Sequence, residues 1–253
     1  MTQLRAIFKL CMLFLYTVAA YSVYFIWYLF LKLFRKPVEP WRNILLKYWS
    51  RGICAILNMK MRVEGKAPQA PFVVVSNHVS YLDVVPLYGV LDCTFIAKKE
   101  IRSWPLIGFM AKTLGVIFID RARRSDVNRV NREQMENLNE HQGILIFPEG
   151  TTSDGSRILR LRSPLLQTAI DTGLPVHVVT LYYETADSDI AATDSICWHG
   201  DISLGRHALR MAKTTRIDCV ITINDEPVEG LDRKVLVENL QKKMRGQFKP
   251  MKA

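Results

Sequence analysis

Residues 72–83 read Phe-Val-Val-Val-Ser-Asn-His-Val-Ser-Tyr-Leu-Asp, and this stretch decides the fold. Phe72 to Val75 is an unbroken apolar run, as expected of a strand covered on both faces. Ser80 is a start signal for a helix just beyond it, so strand passes to helix within a few residues. His78 and Asp83 flank that signal, five positions apart. In one continuous helix this spacing turns their side chains about 140° from each other. They meet only if His78 sits in the turn before the helix and Asp83 in its first turn. An imidazole with an ordinary pKa near 6.5 accepts a proton from a hydroxyl at neutral pH, and a carboxylate on its other nitrogen fixes tautomer and orientation. The same letters spell a capping box from Ser80 to Asp83, in which Asp83 does no more than satisfy a helix-start amide. On spacing alone both readings stand.

Working outward, the chain after about residue 60 alternates short apolar runs with longer amphipathic ones. Strands are expected at 72–76, 94–97, 116–119, 144–147, 176–181 and 217–223. Helical patterns fall near 81–91, 104–114, 126–141, 164–172, 204–213 and 232–247. This alternation predicts an α/β fold with a mixed, largely parallel sheet flanked by helices. In such sheets ligands bind beyond the carboxyl ends of the strands. A second polar cluster, Phe147-Pro148-Glu149-Gly150-Thr151-Thr152-Ser153-Asp154-Gly155, follows the apolar run 144–146. If its strand lies parallel to the first, both clusters face one edge of the sheet.

The chain opens differently. Leu10 to Leu31 is 22 residues without a formal charge, bounded by Arg5 and Lys9 before it and by Lys32, Arg35 and Lys36 after it. Roughly 20 apolar residues suffice to cross a bilayer as a helix. Tyr16, Tyr21, Tyr24, Trp27 and Tyr28 also suit the headgroup region, so the helix is expected either to span the membrane or to lie in its interface. A cleaved signal peptide fits poorly, because Ala19-Ala20 lies inside the apolar run and does not end it. Residues 41–59 carry a second amphipathic helix, with Pro37 and Pro40 separating the two. The expected organisation is an N-terminal membrane-associated helical hairpin over 1–59 and a catalytic domain over 60–253.

Among the 253 residues the formal net charge is +10, which calls for an acidic partner. The apolar N-terminus points to a membrane with anionic lipid, and no nucleic-acid-binding motif is present. Cys11, Cys54, Cys93, Cys197 and Cys219 are scattered, with no C-x-x-C pair to suggest a zinc or redox site. They predict a catalytic domain facing the cytoplasm from the inner or cytoplasmic membrane. His141, His177, His199 and His207 lack metal-ligand spacing, and no metal is expected. No G-x-S-x-G elbow supplies a protein nucleophile, so a base here activates a substrate hydroxyl. Gly150 and Gly155 bracket a hydroxyl-rich turn suited to an anion or a sugar-like group, or to a plain surface turn. Arg121 ends the run Gly115-Val116-Ile117-Phe118-Ile119-Asp120, and arginine forks onto phosphate.

The N-H-x-S-Y-x-D run at 77–83, which carries an H-x4-D spacing, resembles the first of three ordered blocks of the lysophosphatidic acid acyltransferase family of membrane glycerolipid enzymes. The G-V-I-F-I-D-R run at 115–121 and the F-P-E-G-T run at 147–151 resemble the other two, and Leu174 to Val179 a looser fourth. The resemblance covers roughly residues 60–200. It implies acyl transfer from acyl-CoA or acyl carrier protein, as co-substrate and without a further cofactor, to the hydroxyl of a lysolipid. It implies His78 as general base, Asp83 orienting it, and Arg121 with Glu149, Gly150 and Thr151 positioning the acceptor headgroup.

One position departs from the family pattern. Many members with a phosphate-bearing acceptor have arginine directly after P-E-G-T, where this chain has Thr152. Either Arg121 suffices, or Arg157 or Arg160 substitutes, or the acceptor is lyso-ornithine lipid, which has no phosphate. Lysophosphatidic acid is the leading expectation. A non-catalytic membrane lipid-binding protein is the more distant alternative, and the intact His78 and Asp83 argue against it.

Overall fold

The computed structural model describes residues 2–252. In chain order the elements are α1 (Thr2–Leu33), α2 (Glu39–Leu57), β1 (Met59–Glu64), β2 (Val73–Ser76), a 3-10 turn (Tyr81–Asp83) leading into α3 (Val84–Val90), β3 (Cys93–Lys98), α4 (Lys99–Arg102) and α5 (Ile107–Thr113). There follow β4 (Ile117–Ile119), α6 (Asp126–Asn137), β5 (Gly143–Ile146), a 3-10 turn (Pro164–Leu166) with α7 (Gln167–Thr172), β6 (Val176–Thr185), α8 (Ala192–Ser195), α9 (Leu204–Lys213), β7 (Ile217–Ile223) and α10 (Arg233–Gln247). The strands form one sheet in the order β1-β7-β6-β2-β5-β3-β4. Every neighbouring pair is parallel except β6 with β7. The mixed, largely parallel sheet expected from the sequence is therefore present.

β2 lies at the centre, and its three valines are fully buried. Because side chains alternate along a strand, Val74 faces one side and Val73 and Val75 the other. Val74 packs with Leu46, Ile53 and Leu57 of α2, Val85 of α3 and Met211 of α9. Val73 and Val75 pack with Val130 of α6, Leu166, and Leu236, Leu240 and Met244 of α10. The sheet thus separates an α1–α2–α3–α9 layer from an α6–α7–α10 layer.

Two differences from the sequence reading have plain causes. β1 was not expected, because its residues Met-Lys-Met-Arg-Val-Glu mix charge into an edge strand whose outer half is exposed. Only pairing with β7 holds it extended. α6 stops at Asn137 rather than running to 141, since Asn139 and Gln142 pair in a tight turn and the Gln142 side chain donates to the Asn137 carbonyl.

α1 is 32 residues, about 48 Å at 1.5 Å per residue. It does not stand away from the domain. Arg5 and Lys9 donate to the carbonyls of Lys213 and Thr214, at the end of α9. Tyr21 bonds the Thr113 hydroxyl and Tyr24 its carbonyl, at the end of α5. Between these ties Trp49 of α2 donates to Thr17. The outer side of α1 is apolar and exposed at Leu4, Phe8, Phe14, Leu15, Ile26 and Leu33. Ile44 and Tyr48 of α2 and Phe109 of α5 are exposed too.

The β2–β5 register leaves no room at Gly143. A Cβ there would lie 2.3 Å from the Phe72 ring and 2.5 Å from the Phe72 carbonyl oxygen. Gly143→Ala is expected to destabilise the fold by about 1–3 kcal/mol, the usual range for overpacking, read as a lowered thermal midpoint in detergent micelles. An unchanged midpoint would mean that β2 and β5 do not meet in this register.

Candidate active site

β2 and β5 are parallel neighbours, so the turns after them leave the same sheet edge. The chain after β2 is pinned at once. The Asn77 side chain accepts from Leu181 N at 2.7 Å and donates to Leu181 O at 3.1 Å, continuing the ladder to β6 through an amide. The next residue is clamped from the other side. The Glu149 carboxylate accepts from His78 N at 2.9 Å, and the His78 carbonyl accepts from Ser153 N at 2.9 Å. The two polar clusters of the sequence thus share the backbone of one residue.

Asp83 is fully buried, and one carboxylate oxygen, Oδ2, does three things. It bonds His78 Nδ1 at 2.8 Å and accepts from Val79 N at 2.8 Å and Ser80 N at 3.0 Å. Ser80 in turn accepts from Leu82 N, and the capping box is complete. Cap and dyad coexist because the cap turns the chain and His78 stands outside it. A carboxylate on Nδ1 selects the tautomer with its proton there, leaving the lone pair on Nε2. The imidazole is 20% exposed and stacks on the Phe147 ring, with centroids 4.0 Å apart. Beneath the pair, Tyr183 is wholly buried beside Asp83; burial first, then that carboxylate, push its pKa well above the ordinary phenol value.

Glu149 does not face open space. It is 2% exposed, and its second oxygen accepts from Leu159 N at 2.9 Å. Burial pushes its pKa up, against the pull of the two backbone amides. Its observed contacts hold the backbone of His78 and of the 159–161 segment. Gly150 adopts φ +70°, the left-handed region that favours glycine. Arg121 donates to the Gly150 carbonyl, and Thr151 is exposed beside it. Arg162 lies against the same glycine, its Nε 3.4 Å from where a Cβ would stand. Burial, and then the charge of Arg162, lower the pKa of Arg121.

Arg121, Arg123, Arg124 and Arg162 line a cavity of about 210 Å³. Its one acid, Asp120, is bonded to Lys99 and Arg123. Phe147, stacked on His78 with one face, forms part of the cavity wall. A second cavity, of about 630 Å³, lies on the Val74 side of the sheet. Its lining is almost entirely apolar and comes from α1, α2, α3 and α5, with Tyr81 and Val84 of the dyad's own turn among it. An anion-favouring space therefore reaches the ring on which the imidazole stacks, and an apolar space reaches the turn that holds the dyad.

The sequence does not set Arg162 apart from the arginines around it. Arg162, rather than Arg157 or Arg160, comes to Gly150, because its N–H donates to the Pro148 carbonyl at 2.8 Å and folds the segment back. Thr152 turns away, donating to the Trp198 carbonyl at 2.5 Å. His207, fully buried, bonds the Cys197 carbonyl and the Tyr81 hydroxyl, and burial lowers its pKa. Among the described residues no cluster of three or more His, Cys, Asp or Glu could hold a metal ion.

The family model described as Acyltransferase matches residues 59–184. A lyso-ornithine lipid O-acyltransferase of Pseudomonas aeruginosa is 35% identical over 210 residues, covering 82% of this chain and 80% of its own. A 1-acyl-sn-glycerol-3-phosphate acyltransferase of Neisseria meningitidis is 34% identical over 210 residues, covering 81% and 80%. The crystal structure of the 1-acyl-sn-glycerophosphate (LPA) acyltransferase PlsC from Thermotoga maritima superposes with a TM-score of 0.71 over 97% of this chain and 95% of that one. At 22% identity this last likeness concerns the fold.

The dyad geometry fixes an observable. In the neutral protein, nitrogen-15 NMR of labelled histidine is expected to find the His78 proton on Nδ1. Asp83→Asn, which can present an N–H to that nitrogen, is expected to move it to Nε2. A wild-type Nε2–H tautomer would remove the basis for reading Nε2 as the base.

Proposed function

The chain belongs to the lysophosphatidic acid acyltransferase family and is an O-acyltransferase, and from that premise we propose that His78 is its general base and lysophosphatidic acid its acceptor. The observation that carries this is the imidazole held by Asp83 and stacked on Phe147, whose ring walls the arginine-lined cavity, while the dyad's turn walls the apolar one. His78 Nε2 takes the proton of the lysolipid hydroxyl as its oxygen attacks the thioester carbonyl. A carbon–oxygen bond forms, the carbon–sulfur bond breaks, and the imidazolium returns its proton to the departing thiolate. Asp83 stabilises the imidazolium through the bond that already fixes its tautomer. The products are the diacylated lipid and a free thiol. The co-substrate is acyl-CoA or an acylated carrier protein, with its chain in the apolar cavity.

Arg121 and Arg162 are the proposed headgroup contacts, with Gly150 and Thr151 shaping the turn between them. Glu149 acts as a positioning residue, through the backbones of His78 and Leu159. Charge supports a phosphate acceptor. A phosphate monoester brings close to two negative charges and three acceptor oxygens to paired guanidiniums. An ornithine headgroup brings its own ammonium into the same cationic space. Thr152 supports the second reading, lyso-ornithine lipid, since it supplies no charge where many relatives have arginine.

Membrane seating follows from α1. From Arg5 to Tyr24 the helix is tied to the domain over about 29 Å, most of a hydrocarbon core's thickness. Spanning the bilayer upright would carry the domain in with it. We infer that α1 lies in one leaflet with its apolar side inward and its flanking cations among anionic headgroups. The five free cysteines, four of them buried, suit the reducing cytoplasmic side.

His78→Ala is expected to lower turnover by about a thousandfold, within the range of general-base contributions. Given lysophosphatidic acid and lyso-ornithine lipid side by side with one acyl donor, the wild type is expected to prefer the first by at least about tenfold in kcat/KM. Arg162→Ala is expected to reduce that preference by at least about tenfold, as loss of a charged hydrogen bond worth roughly 1.5–3 kcal/mol predicts. Wild-type turnover in His78→Ala would overturn the base, and a preference for lyso-ornithine lipid would overturn the acceptor.

A further inference from the structure

A second cationic groove, of about 1140 Å³, runs between α10 and residues 159–164. Arg160 and Arg162 stand on one wall, and Lys234, Lys242 and Arg245 on the other. All five are exposed, and among the described residues none of their side chains makes an ion pair or hydrogen bond. Lys234, Lys242 and Arg245 fall on one face of α10, at intervals of eight and three residues, over about 16 Å. Glu238 is the one exposed acid among the lining residues.

The walls are fixed rather than floppy. The Gln241 side chain of α10 accepts from Leu161 N at 2.9 Å and donates to Leu159 O at 3.1 Å. Leu159 N is in turn held by Glu149, the residue that also holds His78 N. The groove therefore ends one carboxylate away from the dyad.

Its position selects the partner. α10 covers the Val73 and Val75 face of the sheet, whereas α2 and α3 cover the Val74 face and α1 packs outside them. The sheet lies between the groove and the apolar side of α1, so the groove opens to water rather than to lipid. No aromatic ring lines it, which leaves a nucleotide base without a stacking surface. A row of unpaired cations along a helix complements a row of carboxylates.

We propose that this groove docks the acidic helical face of the carrier protein that delivers the acyl thioester. The proposal rests on the acyl-transfer reading and goes beyond it in naming the donor and its landing surface. The carrier docks from the aqueous side, and its prosthetic arm passes over the sheet edge toward His78.

The test uses the full chain in phosphatidylcholine nanodiscs, whose lipid carries no net charge. Binding of an acylated carrier protein is measured on a His78→Ala background, so that no turnover intervenes. Reversing Lys242→Glu with Arg245→Glu is expected to weaken binding by at least about tenfold, and raising salt from about 50 to 200 mM is expected to weaken it in the parent. In the otherwise wild-type chain, the same reversal is expected to leave kcat/KM for acyl-CoA within about twofold, because acyl-CoA, although anionic, finds no ring in the groove on which to stack its base. Carrier binding unchanged by the reversal would overturn the proposal. So would an equal loss with acyl-CoA, or a loss confined to phosphatidylglycerol vesicles. Transfer from acyl-CoA with no carrier binding sinks the docking surface and spares the acyltransferase reading. Carrier binding with no transfer from either donor does the reverse.

Discussion

The bond from His78 N to the Glu149 carboxylate is the contact on which the rest of the site depends. It joins the turn after β2 to the turn after β5, and through Leu159 it reaches α10. A buried carboxylate without partners costs several kcal/mol, so the two amides it receives are a condition of its being there. Its raised pKa means that the folded state holds the Glu149 proton more tightly than the unfolded chain does. This group therefore favours folding on the acid side, and its contribution is lost as pH rises through the folded-state value. The stability it gives up near neutrality sets the backbone of the residue proposed to act as base.

Asp83 shows the same economy at shorter range. Three donors converge on one oxygen, two of them the backbone amides of Val79 and Ser80. Those amides hold the carboxylate in place whether or not the imidazole is charged. When His78 takes up a proton in the proposed reaction, its partner has no need to move, which is the condition for electrostatic stabilisation without reorganisation. Phe147 and Tyr183 close the site from the side and from below.

Much of this was legible in the sequence because the central strands are short, apolar and uninterrupted. Val73 to Val75 and Ile144 to Ile146 announce buried parallel strands, and the polar residues after each then fall at one edge by topology alone. β1 carries no such signal, because an exposed edge strand mixes charge into its residues. The pairing of the two clusters through the backbone of His78 was equally hidden, since a backbone amide has no letter of its own. For the same reason spacing could not decide between cap and dyad at Asp83: the two readings differ only in where His78 sits.

Thr152 and Arg162 mark where reading a motif by position goes astray. A side chain at 152 points to the Trp198 carbonyl and does not line the arginine cavity. The charge beside Gly150 arrives from Arg162, twelve residues further along the chain, carried there by the bond from Arg162 N to Pro148 O. Two guanidiniums now approach one glycine from different segments, and after burial the charge of Arg162 adds to the cost of charging Arg121. Like charges held so close are unfavourable unless an anion joins them, and the proposed headgroup would supply that anion. A zwitterionic headgroup relieves that repulsion less than a phosphate does, because its ammonium adds to the charge its carboxylate removes. The acceptor question therefore turns on Arg162, a residue that no motif-position rule would single out, and not on the threonine that first raised it.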